Sequence, residues 1–167
     1  MILDGGIVRC IYILNVPEGK LDLAKCNLVA TSCAGIHLLR ASRVVSQVYR
    51  KELRSSGLLP TQFSMVIAMA LLGPVSISNL AEVLVMDRTT LSRNLKPLDR
   101  QRLIGIEPGE DQRQRIVPLT EQGEERLAHA LPLWEQAQAR VVKRLGEERC
   151  INLLLELSAT VELIRTG

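Results

Sequence analysis

The amino-acid sequence predicts a mainly α-helical fold that carries one small β-hairpin. The 167 residues are 47% apolar, and the aromatic residues are one Trp, two Tyr and one Phe, so the core must consist of aliphatic side chains and Met. Such a composition favours helices over a β-sandwich. Beyond residue 20, helix breakers and apolar residues at three- and four-residue spacing divide the chain into six helical segments and one hairpin. The length is that of one compact domain.

The N-terminal part combines an arm with a long first helix. Residues 1–20 contain a short apolar run that includes Arg9 and follows no basic leader, so we expect neither a signal peptide nor a membrane span. We interpret these residues as an arm, a strand or a helix added at a subunit contact. The first helix should extend from about residue 21 to residue 54 and stop at Gly57.

The next three segments predict a helix-turn-helix. Pro60 stands in a helix-starting position of residues 60–72, which are apolar on nearly every side and should form a buried helix. Ser76 can cap a short third helix, and Asp87 can cap a fourth that reaches about Arg102. Two short helices separated by three or four residues are a helix-turn-helix pattern.

The fourth helix has two opposite faces. Leu91, Leu95 and Leu98 fall within a narrow apolar arc at about 100° per residue and should point inward. The residues on the opposite face, at its edge or near its boundary are Arg88, Thr89, Ser92, Arg93, Lys96 and Arg100. Residues 87–102 include five basic and two acidic residues, an excess equal to the net charge of +3 of the whole chain. Arg suits guanine edges, hydroxyls reach phosphates or bases, and Lys neutralises phosphate, so this face suits DNA. If this segment is judged without the residues that follow it, an ordinary solvent-exposed helix face is the alternative.

A hairpin is expected directly after this helix. Two short extended runs, residues 103–106 and 113–119, flank a polar turn that contains Gly. A hairpin in this position is the layout of a winged helix, whose wing lies along the neighbouring minor groove. The Asp111 carboxylate can hold the Arg113 guanidinium in a bidentate pair, so that Arg113 enters the minor groove while Arg115 follows the DNA backbone.

The last two helices carry apolar stripes that little else in the chain can cover. Thr120 can cap a helix of about 25 residues with nearly heptad apolar spacing, and another amphipathic helix should follow Gly146. The stripes consist of Leu127, Leu131, Trp134, Val141 and Leu145, and of Cys150, Leu154, Leu157, Val161 and Ile164. A second copy of the chain would cover both stripes, which predicts a homodimer; the alternative is that both fold onto the first helix.

A resemblance to the MarR family of regulators rests on two segments, LAEVLVMDRTTLSRNLKPLDRQRLI and GEDQRQRIVPLTEQG, which resemble the helix-turn-helix and wing signature of that family. The likeness spans roughly residues 58–145. It implies an obligate dimer whose winged helix-turn-helix units are carried on interlocked terminal helices. It also implies a wing motif at Asp111 and Arg113 and major-groove contacts by Thr89, Thr90, Ser92, Arg93 and Lys96.

These expectations divide the chain into an arm (1–20), an N-terminal dimerisation helix (21–56), a winged helix-turn-helix DNA-binding region (57–119) and C-terminal dimerisation helices (120–167). They predict a sequence-specific transcription regulator, a repressor, that binds a palindromic operator in double-stranded DNA as a homodimer and is released by a small-molecule or redox signal. The alternative is a winged-helix module that docks on protein or RNA. We find no Gly-rich phosphate loop, nucleophile elbow or dense His and carboxylate cluster, so we expect neither an enzyme nor a cofactor.

The resemblance further implies an effector site between the dimer-forming helices and the winged domain. Its residues would be Ile36, Leu39, Arg40, Arg43, Val44, Met65, Met69 and Trp134. An anionic aromatic ligand held by Arg40 or Arg43 would suit such a site, whereas a plain packing role is the alternative for most of these residues.

The cysteines offer a second kind of trigger. Their spacing contains no C-x-x-C, which favours a reduced, cytoplasmic protein. Cys26 and Cys33 would share one helix face about 10 Å apart along the axis, so only an intersubunit disulfide is open to them, and inert thiols are the alternative. Cys33 and His37 are one helical turn apart, but two ligands without partners do not predict a metal site.

Overall fold

A computed structural model of the chain describes residues 21–111 and 114–166. The predicted arm, residues 1–20, lies outside the described residues, and so does Arg113. The chain consists of two compact units, Met1–Val44 and Val45–Gly167.

The described residues are mainly helical and include one small antiparallel sheet, as the sequence predicts. The helices are α1 (Leu23–Ser32), α2 (Ala34–Glu52), α3 (Pro60–Leu72), α4 (Ile77–Val83), α5 (Arg88–Arg100), α6 (Glu121–Leu145) and α7 (Glu147–Thr166). The strands are β1 (Val75–Ser76), β2 (Glu107–Pro108) and β3 (Arg115–Val117). One turn of 3-10 helix, Leu53–Ser56, follows α2 and ends at Gly57, whose φ of 73° is left-handed.

The first helical segment is interrupted, although the sequence predicts one continuous helix over about residues 21–54. Cys33 separates α1 from α2 and has an extended backbone, with φ −75° and ψ 108°. The Thr31 and Ser32 hydroxyls donate to the carbonyls of Asn27 and Leu28 at 2.9 and 2.6 Å. Hydroxyls that bond to the preceding turn compete with helical hydrogen bonding, and Gly35, which follows, has a low helix propensity. The single helix is therefore a wrong prediction at this point.

Three predicted helix caps are confirmed. The side-chain oxygen of Ser76 accepts from the Asn79 N–H at 3.1 Å and begins α4. Asp87 Oδ1 accepts from the Thr90 N–H at 2.8 Å and begins α5. Thr120 Oγ1 accepts from the N–H of the third residue of α6 at 3.1 Å. Each cap satisfies one of the backbone donors that a helix N-terminus leaves unpaired.

The hydrophobic core lies within the unit Val45–Gly167 and consists of aliphatic and Met side chains with one Phe. Leu53, Leu80 and Leu91 are 0% exposed, and Met65 and Met69 of α3 are 1% exposed. These residues come from the 3-10 turn and from α3, α4 and α5, and α6 packs against the 3-10 turn and α3. The core of the predicted helix-turn-helix is therefore complete within one chain.

The sheet has the strand order β1-β3-β2, with both pairs antiparallel. The wing hairpin, β2 and β3, is confirmed, but its first strand begins at Glu107, later than the predicted residues 103–106. Ile104 is buried at the base of the wing, where it forms an isolated bridge with Leu119. Strand β1 was not predicted, because two residues are too few to show the alternation typical of a strand.

The start of α6 lies against the backbone before the wing at Gly123. A Cβ built on Gly123 would lie 2.1 Å from the Leu103 carbonyl oxygen, which forbids any larger residue without movement of the backbone. Thr120 fixes the same approach, because its N–H donates to the Leu103 carbonyl at 3.2 Å and its hydroxyl donates to the Arg102 carbonyl at 2.7 Å. Thr120 and Gly123, which belong to the second segment of the family resemblance, thus have complementary roles in this junction.

Taken one at a time, none of the helices in residues 21–111 and 114–166 is both long and apolar enough to cross a membrane. One bent pair, residues 34–56 with 60–72, passes that test jointly by length and composition.

Candidate nucleic-acid interface

Helix α5 is held in place by its leucines. Leu91, Leu95 and Leu98 are at most 1% exposed, as the helical wheel predicts. They pack into the core that α3 and α4 complete. Because three side chains spaced along the helix are buried together, the rotation of α5 about its own axis is determined, and so is the direction of its opposite face.

The opposite face of α5 carries the predicted cations and hydroxyls. The exposed residues are Arg88, Thr89, Arg93, Lys96 and Arg100, and the partly buried ones are Thr90 and Ser92. We call these seven residues the α5 polar face. Its outward orientation agrees with the sequence analysis, whereas the contacts of individual residues with DNA stay predictions.

None of the cations of the α5 polar face forms an ion pair with another described residue. Within residues 21–111 and 114–166, the ion pairs are Arg140 with Glu52, at 3.2 Å, and Arg165 with Glu82, at 3.9 Å. Neither pair involves a cation of α5. An anion that approaches this face would therefore not have to displace a carboxylate from these cations.

Asp87 is the acidic group at the N-terminus of this helix. Hydrogen bonds from the side chain and the backbone N–H of Thr90 lower the pKa of its carboxyl below the usual value, and a backbone hydrogen bond from Thr89 and the positive charge of Arg93 act in the same direction. The ionised form is thus stabilised by the residues that it caps. This carboxylate holds the first turn of α5, where Thr89 and Thr90 begin the polar face.

The turn between α4 and α5 is strained at Val85. The φ of Val85 is 52°, in the left-handed region that a β-branched residue rarely adopts. Two hydrogen bonds hold this turn, from the Val85 N–H to the Glu82 carbonyl at 3.1 Å and from the Met86 N–H to the Ala81 carbonyl at 2.8 Å. The strain could not be predicted from the sequence, since a Val at this position gives no signal of a positive φ.

The wing places one predicted DNA contact, Arg115, on a strand and another, Asp111, at its tip. Arg115 is exposed on β3, opposite Pro108 of β2. At the tip, the Gln114 N–H donates to the Asp111 carbonyl at 2.8 Å. Arg113 lies outside the described residues, and its predicted pair with Asp111 lies outside them as well.

The predicted effector residues fall in both compact units. In Val45–Gly167, Met65 and Met69 are buried, and Trp134 is 36% exposed. In Met1–Val44, Ile36 and Arg40 are partly buried, and Leu39, Arg43 and Val44 are exposed. A shared effector site for these residues stays a prediction.

A cavity of about 470 Å³, which the sequence does not predict, lies in the unit Val45–Gly167, and we call it the α6 cavity. It lies where the end of α3, the residues after β3 and the first half of α6 meet. Its walls include Met69, Pro74, Leu119, Glu124, Leu127 and Leu131. Of the predicted effector residues, Met69 lines this cavity. No local sequence pattern indicates a cavity whose walls come from three separate segments.

The described cysteines are free thiols. Cys26 is exposed, Cys33 is partly buried and Cys150 is buried. Because an extended residue interrupts the helix at Cys33, the spacing of one intact helix does not apply to Cys26 and Cys33. Among the described residues, no three His, Cys, Asp or Glu side chains are grouped so that they could hold a metal ion.

The chain is similar to solved transcription regulators. MosR, a transcriptional regulator of M. tuberculosis solved in complex with DNA, is 36% identical to it, and the match covers 80% of this chain and 99% of that one, with a TM-score of 0.70. A variant of MarR from E. coli in complex with operator DNA is 18% identical, with 80% and 96% of the two chains covered and a TM-score of 0.72, which shows a shared fold.

Among curated proteins, the uncharacterized HTH-type transcriptional regulator YwoH of Bacillus subtilis is 26% identical over 88 residues, or 52% of this chain. The match spans 64% of the length of YwoH. No protein-family model matches the chain.

Proposed function

This chain belongs to the MarR family of winged helix-turn-helix transcription regulators, and we propose that it binds a palindromic DNA operator as a homodimer and represses transcription until a small-molecule or redox signal releases it. The proposed DNA contacts are Arg88, Thr89, Thr90, Ser92, Arg93 and Lys96 on α5, and Asp111, Arg113 and Arg115 in the wing. Such a regulator acts where the chromosome is, so we propose a cytoplasmic location, which suits the free thiols of Cys26, Cys33 and Cys150.

The α5 polar face is the observation that carries this proposal. A helix of 13 residues buries three leucines on one side and exposes Arg88, Arg93 and Lys96 without an ion pair to any described residue. An α-helix with this chemistry fits the major groove, where Arg binds guanine and Lys binds phosphate. Arg115, exposed on β3 of the wing, adds a further cation, which suits a minor-groove or backbone contact.

The terminal helices support a homodimer. In α7, Cys150 is the one buried residue among Glu147–Thr166, while Leu155, Leu163 and Ile164 are 63%, 73% and 76% exposed. None of the residues of α1 is buried, and Leu28 is 62% exposed. Apolar surface of this extent is rarely left in water, and a second copy of the chain would cover the same patch on both subunits. Two recognition helices related by a two-fold axis would then read a palindrome.

Selection of duplexes from a random pool by the full chain tests this function. We expect the recovered sequences to share a two-fold symmetric site, and the affinity for that site to fall steeply with salt concentration because each phosphate contact releases counterions. Placing the site between promoter elements should lower transcription in vitro. Recovery of no common sequence, or an affinity that does not change with salt, would contradict the proposal. Preferential binding of RNA would favour a docking module instead.

A further inference from the structure

We propose that the α6 cavity binds a compact apolar amine, and that its occupancy lowers the affinity of the regulator for DNA. The second part of this inference rests on the function proposed above, whereas the first part does not. The cavity has the size of a small-molecule site, because its volume of about 470 Å³ falls in the range of roughly 300–1,000 Å³ that such sites occupy.

The charge around the cavity selects against anions. Glu124 is the single ionisable residue among the residues that line it. Glu121 and Glu125 lie on the same first turns of α6, and the nearest cation along the helix, Arg126, donates instead to the Ser56 carbonyl at 2.9 Å. Within residues 21–111 and 114–166, no ion pair includes Glu124. The carboxylate of Glu124 is therefore available to an ammonium group, while a carboxylate ligand would meet like charge.

The remaining walls suit an aliphatic or aromatic hydrocarbon body. Leu119, Leu127 and Leu131 contribute branched side chains, and Met69 contributes a flexible thioether that adapts to ligands of different shape. Apolar walls with one charged group at the rim are the usual composition of a site that holds a small amphiphilic molecule. A ligand with a hydrocarbon body and one ammonium group matches both parts of this surface.

The position of the cavity connects a bound ligand to the wing. Pro118 and Leu119 line the cavity and follow β3 directly. Leu119 also forms the bridge with Ile104 that closes the base of the wing. A ligand in the cavity would thus contact α6 and the base of the wing at the same time. The ligand would stabilise the relative position of α6 and the wing in which its own contacts are strongest. If DNA binding requires a different relative position, the ligand lowers the affinity for DNA.

Three probes of matched shape test the first part of the inference on the full chain without DNA. The probes are 4-phenylbutylamine, 4-phenylbutanol and 4-phenylbutanoate, and isothermal titration calorimetry gives the dissociation constant of each. We expect the amine to bind about tenfold more tightly than the alcohol, because it adds a charge-assisted hydrogen bond, and the carboxylate to bind most weakly. Carboxylate binding as tight as amine binding would overturn the inference.

Two variants locate the binding. Glu124→Gln should remove the advantage of the amine over the alcohol, whereas Glu125→Gln, the matched control on the next residue, should retain it. Ala128→Phe should fill the cavity and abolish the binding of all three probes. An amine preference that survives Glu124→Gln would overturn the inference. A second result would also overturn it: no probe binds the wild type, and the Ala128→Phe variant is monomeric. In that case a partner subunit, and not a ligand, would cover the cavity.

The DNA arm of the experiment separates the two proposals. Fluorescence anisotropy of a labelled duplex from the selection above should show that 4-phenylbutylamine weakens binding by the wild type, and that Glu124→Gln needs about tenfold more of the amine for the same effect. If the chain binds the amine but no duplex, the cavity is confirmed and the proposed function fails. If the amine binds and the affinity for duplex is unchanged, the regulatory part of the inference is wrong.

Discussion

Helices α5 and α7 both carry leucines, but only α5 completes its packing within one chain. Leu95 and Leu98 of α5 are 1% and 0% exposed, whereas Leu154 and Leu157 of α7 are 55% and 37% exposed. What α5 leaves at the surface is positive charge, and what α7 leaves there is apolar area. The same residue type therefore builds a fold in one helix and provides a surface for association in the other. The two surfaces suit the two partners that we propose, DNA and a second subunit.

The largest effect should come from the buried side of α5. We expect Leu95→Ala to lower the free energy of unfolding by about 2–5 kcal/mol, because it leaves a cavity in a packed core. Urea denaturation followed by circular dichroism measures this loss. The matched control is Leu71→Ala, since Leu71 is a leucine of α3 that is 82% exposed and its truncation should cost little. Equal losses for the two variants would mean that α5 is not the packed element described here.

The exposed side of α5 should affect binding and leave stability unchanged. Arg93→Ala should weaken binding to the selected duplex by about 1–3 kcal/mol, because a bidentate contact with a base is lost. Fluorescence anisotropy measures the affinity, and Arg144→Ala, an exposed arginine near the end of α6, is the control. An Arg93→Ala variant with unchanged affinity would remove the main support for the proposed interface.

In α7, the same truncation should act through association. Leu154 is already partly covered in the single chain, so Leu154→Ala should cost the dimer about 0.8–1.5 kcal/mol per subunit, half of the value for a leucine that is fully transferred from water. Sedimentation equilibrium should show a weaker dimer for Leu154→Ala and an unchanged one for Glu156→Ala, a polar neighbour. A chain that is monomeric at all concentrations would show that α7 has some other role.

The smallest effect should be a dependence on pH at the start of α5. The pKa of Asp87 is lowered in the folded chain, so its contribution to stability is present above the ordinary carboxyl value of 3.8 and is lost as the pH falls through the lowered folded value. Asp87→Asn keeps an acceptor for the Thr90 N–H but cannot titrate. We expect denaturation curves between pH 5 and about 2 to show a smaller loss of stability for Asp87→Asn than for the wild type. Equal losses would show that the cap is not coupled to protonation.

Local features of this fold could be predicted from the sequence because their causes are local. The caps at Ser76, Asp87 and Thr120 each depend on a side chain and an N–H three residues later, and both groups are visible in the sequence. The two faces of α5 follow from helical periodicity alone. The wing was visible as two extended runs about a turn, although the boundary of its first strand was misplaced.

Other features depend on contacts between distant segments and could not be predicted. The α6 cavity exists because α3, β3 and α6 meet without filling the space between them. Strand β1 is a strand only because Val117 lies opposite Val75. The break at Cys33 and the positive φ of Val85 are backbone conformations that their own residue types do not indicate. The sequence therefore predicted the polar face of α5 but not the cavity.

Gly123 has a consequence for the release from DNA that we propose for this regulator. Because α6 meets the Leu103 carbonyl there without an intervening side chain, no change of rotamer can absorb a shift of the helix. We therefore expect a displacement of α6 to move the backbone that enters the wing as well. Substitutions that separate α6 from the Leu103 carbonyl should uncouple the wing from events on α6, even where both elements stay folded.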